Sequence, residues 1–156
     1  MRRLVDKWLM GILSPMLMMA IGCGAPPIED YRVFDDLVPV KGQVTFKGKP
    51  IQDAAIRFHP AGKSTVGGVP ARVAAVSDAE GRFELFTFRP EGKGQGAPIG
   101  DYRVTVSWVG PTAGLPQEKL DSLKELIPAK YINPRTSPIE VQIAAGQSEI
   151  PAVSIP

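Results

Sequence analysis

One cysteine and one histidine are all that the 156 residues hold of those two types. That scarcity excludes more than any motif establishes. A single Cys rules out an internal disulfide and a cysteine-based metal site, and a single His removes most catalytic constellations. Aromatic residues make up only 7% of the chain. A dominant charge is missing too: 18 Lys and Arg face 16 Asp and Glu, and Arg2, Arg3 and Lys7 against Asp6 account for the whole formal excess of +2. A balanced chain with dispersed charge gives no electrostatic reason to grip nucleic acid or an anionic membrane. No apolar run reaches the roughly 20 residues that a membrane-spanning helix requires. Gly and Pro are plentiful, 16 of each, which fits one domain of many short strands joined by many turns.

The N-terminus reads as an address. Basic residues at Arg2, Arg3 and Lys7 precede an apolar stretch from Trp8 to Ile21, broken by Gly11 and by Ser14-Pro15. This suits the apolar region of a signal peptide. The stretch ends in Ala20-Ile21-Gly22-Cys23, which resembles the lipobox of bacterial lipoproteins, with Ala20 where Leu is usual. The resemblance implies cleavage between Gly22 and Cys23 and acylation of the Cys23 thiol, so that membrane lipid is the first partner. Residues 1–22 are then a signal peptide, 23–38 a tether and 39–156 an extracytoplasmic domain. Gly24, in place of the Asp that retains many lipoproteins in an inner membrane, favours the outer one.

Alternation of period two begins at residue 40. Val40, Gly42, Val44 and Phe46 share one face, and Lys41, Gln43, Thr45 and Lys47 the other, as in a half-buried strand. Lys47-Gly48-Lys49-Pro50 turns the chain into a second strand around Ala54, Ile56 and Phe58. A Gly-rich loop covers 60–70, and a third strand spans Arg72 to Ser77. Asp78-Ala79-Glu80-Gly81 predicts a turn with Gly in the left-handed position. In the fourth strand Phe83 and Leu85 share a phase that Phe86 and Phe88 break, which predicts a bulge or a strand covered on both faces. Residues 89–98 read as a loop. The cleanest alternation follows: Tyr102, Val104, Val106 and Trp108 inward, Arg103, Thr105 and Ser107 outward. Within 110–137, Pro116 and the stripe Leu120, Leu123, Leu126 and Ile127 predict one short helix stopped by Pro128. Ile139, Val141 and Ile143 alternate with Glu140 and Gln142 in a sixth strand. Ile150 to Ile155 closes the domain as a seventh, and Pro151 predicts an edge position.

Five segments in order carry a family resemblance: Val40-Lys41-Gly42-Gln43-Val44, Gly48-Lys49-Pro50-Ile51, Ala54-Ala55-Ile56-Arg57-Phe58, Ser77 through Leu85, and Gly100 through Val106. Together they resemble the carboxypeptidase regulatory-like domain, and Lys130 through Pro138 is similar to the ending of small bacterial lipoproteins that carry it. The resemblance implies an all-β, seven-stranded antiparallel sandwich of the transthyretin-like or Ig-like kind, with the helix inserted between strands five and six. The metallocarboxypeptidase domain that accompanies it in the best-known members has no counterpart here, so that activity does not transfer.

Motifs that invite a chemical reading fail on context. Gly62-Lys63-Ser64-Thr65 resembles the end of a phosphate-binding loop, but position 57 is Arg where Gly is needed, and no helix can follow. Asp78 and Glu80 could offer oxygens to Ca2+, which takes six to eight ligands, but a plain hairpin accounts for both. His59 has no Cys, His or acid at ligand spacing, and reads as a solvated or capping side chain. No Gly-x-Ser-x-Gly elbow is present. The sequence therefore predicts a module without cofactor, metal or catalytic residues, one that binds protein or glycan or builds the envelope. A hydrolase with a Ser/Lys site formed only in space, and a carrier of a small apolar ligand, are the alternatives. The 110–137 insertion is the candidate interaction surface, through Leu115, Leu120, Leu123 and Tyr131, with Leu115 and Tyr131 expected to be exposed. Strand alternation puts it at the end of the domain that holds the 47–50 and 78–81 turns.

Overall fold

In the computed structural model, which describes residues 31–32, 34–61, 65–66, 69–70 and 72–156, strands stop where the turn residues dictate. The signal peptide, the Gly22–Cys23 junction and the start of the tether lie outside the described residues, as does Gly62-Lys63-Ser64. β1 (Tyr31–Arg32), β2 (Leu37–Val38) and β3 (Lys41–Phe46) precede β4 (Lys49–Pro50). Lys47 and Gly48 join the last two with φ of 52° and 75°, the backbone of a two-residue turn that suits right-twisted strands. β5 (Ala55–Pro60) is followed by a small hairpin, β6 (Thr65–Val66) with β7 (Val69–Pro70), and then by β8 (Arg72–Val76). β9 (Arg82–Glu84) and β10 (Phe86–Arg89) are separated by Leu85 alone. β11 (Gly92–Gln95), β12 (Ala97–Pro98) and β13 (Gly100–Ser107) come next. α1 (Gln117–Leu120) and α2 (Ala129–Ile132) lie in the connection to β14 (Glu140–Ile143), and β15 (Val153–Ile155) is last.

The result is an all-β domain of several sheets with little helix. The largest sheet has the order β1-β11-β10-β8-β5-β13-β14, and a smaller one the order β15-β3-β4, with β9 also paired to β3. Their inner faces share one core. Val44, Val153 and Ile155 of the small sheet are buried in one cluster with Ile56, Phe58, Val104 and Val106 of the large one. The ring centroids of Phe58 and Phe83 lie 6.4 Å apart where the two layers meet. At the apolar area term of about 25 cal/mol per Å2, each such side chain contributes roughly 1.5–3 kcal/mol. Each of the seven expected stretches contains strand, within the fifteen strands that the described residues form in several sheets; of the inward residues named for β5, β13 and β14, Trp108 and Ile139 are only partly buried and the others are buried.

Leu85 explains the broken phase of the fourth strand. β9 pairs with β3 in the small sheet, while β10 pairs with β8 and β11 in the large one. The chain changes sheet at Leu85, whose N–H bonds to Val40 O and whose carbonyl accepts from Gly96 N. Thr87 therefore points inward, fully buried, with its hydroxyl on Gly96 O at 2.8 Å. Phe86 and Phe88 point outward.

Several expectations are corrected. Residues 89–98 are not a plain loop: β11 extends the hairpin from β10, with Gly92 at φ of 142° beside its turn, and Gly96 at φ of 105° lets the Val38 carbonyl approach closely. The 60–70 segment carries the β6–β7 pair. Not every pairing is antiparallel, since β15 runs parallel to β3: after Gly146 the chain crosses to the other sheet and repeats the direction of β3. β15 does lie at an edge. The single helix is two isolated turns. Glu125 breaks its path by taking the N–H of Trp108 and of Ile127, 2.8 and 3.0 Å away, while Leu126 N bonds to Trp108 O. Pro128 then holds Ile127 out of helical geometry.

Thr105, expected outside, is 5% exposed. It does sit on the outer side of β13, between Val104 and Val106. Arg57 lies across from it, the His59 ring bonds its hydroxyl at 2.9 Å, and residues 137–139 line the adjacent edge. Long neighbours cover a short side chain.

Candidate functional site

The change of sheet opens a groove. At the β8–β10 register Glu84 should pair with Val76, but β9 has left for β3, so the two strands part before the 78–81 turn joins them again. Asp78 closes that turn: its N–H bonds to Arg82 O, and its Oδ1 accepts the N–H of Glu80 and of Arg82 at 3.0 and 2.7 Å. Gly81 at φ 71° completes it. The groove has a volume of about 900 Å3 and runs from Val76 and Phe86 across Glu84 and Lys41 to Glu149 and Ile150. Its floor depends on Gly42, where a Cβ would come within 2.5 Å of the Phe83 ring and 2.9 Å of Ile150.

An ion pair crosses the groove. Lys41 Nζ lies 2.6 Å from Glu84 Oε1, and Gln95 Nε2 donates to Glu84 Oε2 at 3.0 Å. The hydrogen bond from Lys41 holds the Glu84 carboxyl below the usual carboxylate range, and the same bond raises the Lys41 ammonium above its own. Both groups keep their charges through neutral pH. A proton relay needs a group poised to change state near the working pH, and this pair is biased the other way. Beside it Val76 is 64% exposed. Such a surface offers fixed charges of both signs next to apolar area.

The expected site residues fall elsewhere. Trp108 Nε1 donates to Gln52 O at 2.7 Å, and Thr112 N to Asp53 Oδ2 at 2.8 Å. Residues 108–126 thus sit at the end of the domain that carries the 47–53 turn, as strand alternation requires. Leu115, Leu120 and Leu123 there are half-buried, and none is brought to the groove. Tyr131 is not exposed: α2 packs on β13 and leaves the ring 5% accessible within the core cluster. A Tyr at the end of an irregular connection looks like surface, but here it closes one side of the core. Asp78 is occupied by its own turn, and among the described residues no group of three His, Cys, Asp or Glu side chains is placed to hold a metal.

His59 is half-buried, and burial, with Arg57 nearby, lowers its pKa. Among the described residues the two buried serines bond to backbone, Ser77 to Ile51 O and Ser137 to Val104 O. The groove itself was missed at the level of sequence. Its one signal was the phase break at Leu85–Phe86, which announces a change of sheet but not the gap beside it. No family model matches the chain, and no curated protein or solved structure matches it either.

Proposed function

We propose that the chain is a lipid-anchored, extracytoplasmic binding module without catalytic activity, built on a β-sandwich of the carboxypeptidase regulatory-like kind. Anchoring rests on the Ala20-Ile21-Gly22-Cys23 signature and on a bacterial outer membrane as its setting. Among the described residues no helix is long and apolar enough to cross a membrane. The sandwich assignment draws support from Tyr102, whose buried hydroxyl donates to Pro98 O, four residues upstream, at 2.7 Å. A Tyr that ties the start of a core strand back to the preceding backbone is a recurrent device of β-sandwiches.

One observation carries the binding role: the groove places a permanently charged pair, Lys41 and Glu84, beside exposed Val76 on rigid strands. Rigid walls with fixed polar groups and open apolar area suit recognition of a protein segment or glycan more than turnover. Two experiments test the reading. Radioactive fatty acid should label the protein in a bacterial host, and Cys23→Ala should abolish the label and release the protein from membranes. A photo-crosslinker at Val76, on intact cells, should give a discrete adduct that Lys41→Glu weakens. Saturable hydrolysis of ester, peptide or glycoside substrates, lost on one Ser or Lys substitution, would overturn the non-catalytic role.

A further inference from the structure

Folding shortens the tether. β1 pairs with β11 and β2 with β12, and the Phe34 ring and the Leu37 side chain close on the buried backbone of Gly94, on the inner side of the large sheet. Only residues 23–30 then separate Cys23, the proposed acylation site, from the domain. Fully extended, such a segment reaches at most about 29 Å. The chain leaves the domain at Tyr31, in the strand that ends the large sheet. Tyr31 pairs with Lys93, Lys93 with Phe88, and Phe88 with Arg72. The outer face of the sheet begins at that edge, and the docked residues leave it uncovered.

Beside that edge the outer face is apolar and basic. Phe86 and Phe88 of β10 neighbour Ala74 and Val76 of β8. Phe88 is 44% exposed and Val76 64%. Arg72 pairs with Phe88, and Arg57 of β5 pairs with Ala74. Both Arg side chains are exposed, and no described carboxylate lies within ion-pair distance of either. Two further cations of this face are engaged: Lys93 Nζ rests 4.2 Å from the Phe86 ring centroid, and Glu140 holds Arg103 at 2.6 Å. The acids stand to the sides. Asp101 and Glu140 belong to β13 and β14, across the sheet from β1, and Glu91 lies in the turn between β10 and β11. Glu84 is held by Lys41 and Gln95 at the groove.

We infer that this half of the outer face lies against the bilayer that holds the acyl chains. Phe88 and Val76 enter the headgroup layer, and Arg57 and Arg72 meet lipid phosphates. The inference rests on the anchoring of Cys23 argued above. Its warrant is a coincidence of place: the sheet edge from which the anchor departs is the edge whose outer face is apolar and basic, and the strands with free-standing acids lie opposite. From β11 to β13 the face is about 19 Å wide at the usual strand spacing. That is less than the reach of the anchor, so the face can lie flat. A short link holds lipid at high effective concentration, so a modest surface suffices. Apolar side chains flanked by basic ones suit the bilayer interface, and each Lys or Arg near an anionic surface strengthens binding about fivefold. The patch runs into the Lys41–Glu84 groove at Val76 and Phe86, so the groove opens along the margin of the docked face.

The test places one fluorophore on the acylated chain in vesicles of phosphatidylethanolamine and phosphatidylglycerol. Acylation of the chain's one Cys leaves an introduced cysteine as the only free thiol. Ala74→Cys reports on the outer face of the large sheet. Ser154→Cys reports on the opposite side, since Ser154 is exposed on the small sheet between buried Val153 and Ile155. The expected result is quenching by nitroxide-labelled lipid at position 74 and by aqueous iodide at position 154. Arg57→Glu with Arg72→Glu should lower the ratio of docked to undocked label at least tenfold, and Phe88→Ala should lower it as well. Each variant should stay on the vesicles and keep its thermal midpoint, which establishes that it folds. Lipid quenching at both positions, or indifference to the double Arg variant, overturns the docking. So does a photo-crosslinker at Ala74 that captures a discrete protein in intact cells instead of lipid. A chain that leaves the vesicles refutes the anchoring of Cys23 and the docking together. A chain that stays bound with position 74 open to iodide refutes the docking alone.

Discussion

Replacing Tyr102 by Phe removes one oxygen and nothing else from the core. The ring, packed edge-on to Phe58 at 5.9 Å between centroids, stays where it is, 1% exposed. What is lost is the hydroxyl that Pro98 O accepts at 2.7 Å, in a region where water does not replace it. Leaving a buried acceptor unpaired costs about 1–3 kcal/mol. Burial also pushes the Tyr102 pKa up to about 12 from its ordinary 10.0. The folded state thus favours the protonated phenol, so the unfolded chain gives up its proton first as pH rises. The Tyr102 contribution is intact below pH 10 and lost between there and about pH 12. A shift of that size corresponds to about 3 kcal/mol. Urea unfolding at pH 7 should therefore show Tyr102→Phe less stable by about 1–3 kcal/mol. The same measurement above pH 11 should show the gap closed or reversed, because the Phe variant has no phenol to ionise. If the two proteins lose stability in parallel across that range, Tyr102 is not desolvated as its position requires.

Further outcomes follow from other contacts. Gly42→Ala should destabilise the fold by about 1–3 kcal/mol through overpacking, and Phe83→Leu should recover part of it; strict additivity in a double-mutant cycle would refute the Gly42–Phe83 contact. His59 has a lowered pKa, so the folded state resists its protonation. Stability should fall as pH drops below 6.5 toward the lowered value, and a His59→Gln variant followed by chemical denaturation should lack that component. Asp36 is held below its ordinary 3.8 chiefly by the hydrogen bond from Arg89. Its contribution is present above that value and is lost as pH falls through the lower folded one. The protection of the Leu37 N–H against exchange, relative to its intrinsic rate at the same pH, should fall on such acidification, and in Asp36→Asn at pH 7 as well.

The strands were legible because burial on one face imposes a period of two on residues such as Tyr102, Val104 and Val106, whatever surrounds them. Position along a strand was less so. Thr105 obeys the outward phase yet is buried, since the lengths of Arg57 and His59, two strand neighbours far away in sequence, decide its exposure. The helix of the insertion failed for a similar reason. Leu120, Leu123 and Ile127 keep helical spacing, but Glu125 finds better partners in the Ser107 hydroxyl and the Trp108 N–H than a continuous helix would offer it. Gly-rich 89–98 looked unstructured, and Gly94 is what lets the Phe34 ring and the Leu37 side chain approach the backbone of β11. The groove lay beyond reach, because it depends on which strands become neighbours.

The residues ahead of β3 are no slack leash. Phe34 lies under the Arg89 guanidinium, 4.5 Å from ring to carbon, and Asp36 grips the same group through both oxygens. Further on, β3 and β15 lie parallel, with Val44, Thr45 and Phe46 matched to Val153, Ser154 and Ile155. Tension drawn between the chain before β3 and the chain after β15 must first tear away the Arg89 clasp. It then drags the two strands past each other along their length, so that the whole ladder bears the load together instead of opening rung by rung. A domain pulled in this sense behaves as a two-stage mechanical fuse, with a weak early yield and a stiff shear clamp behind it.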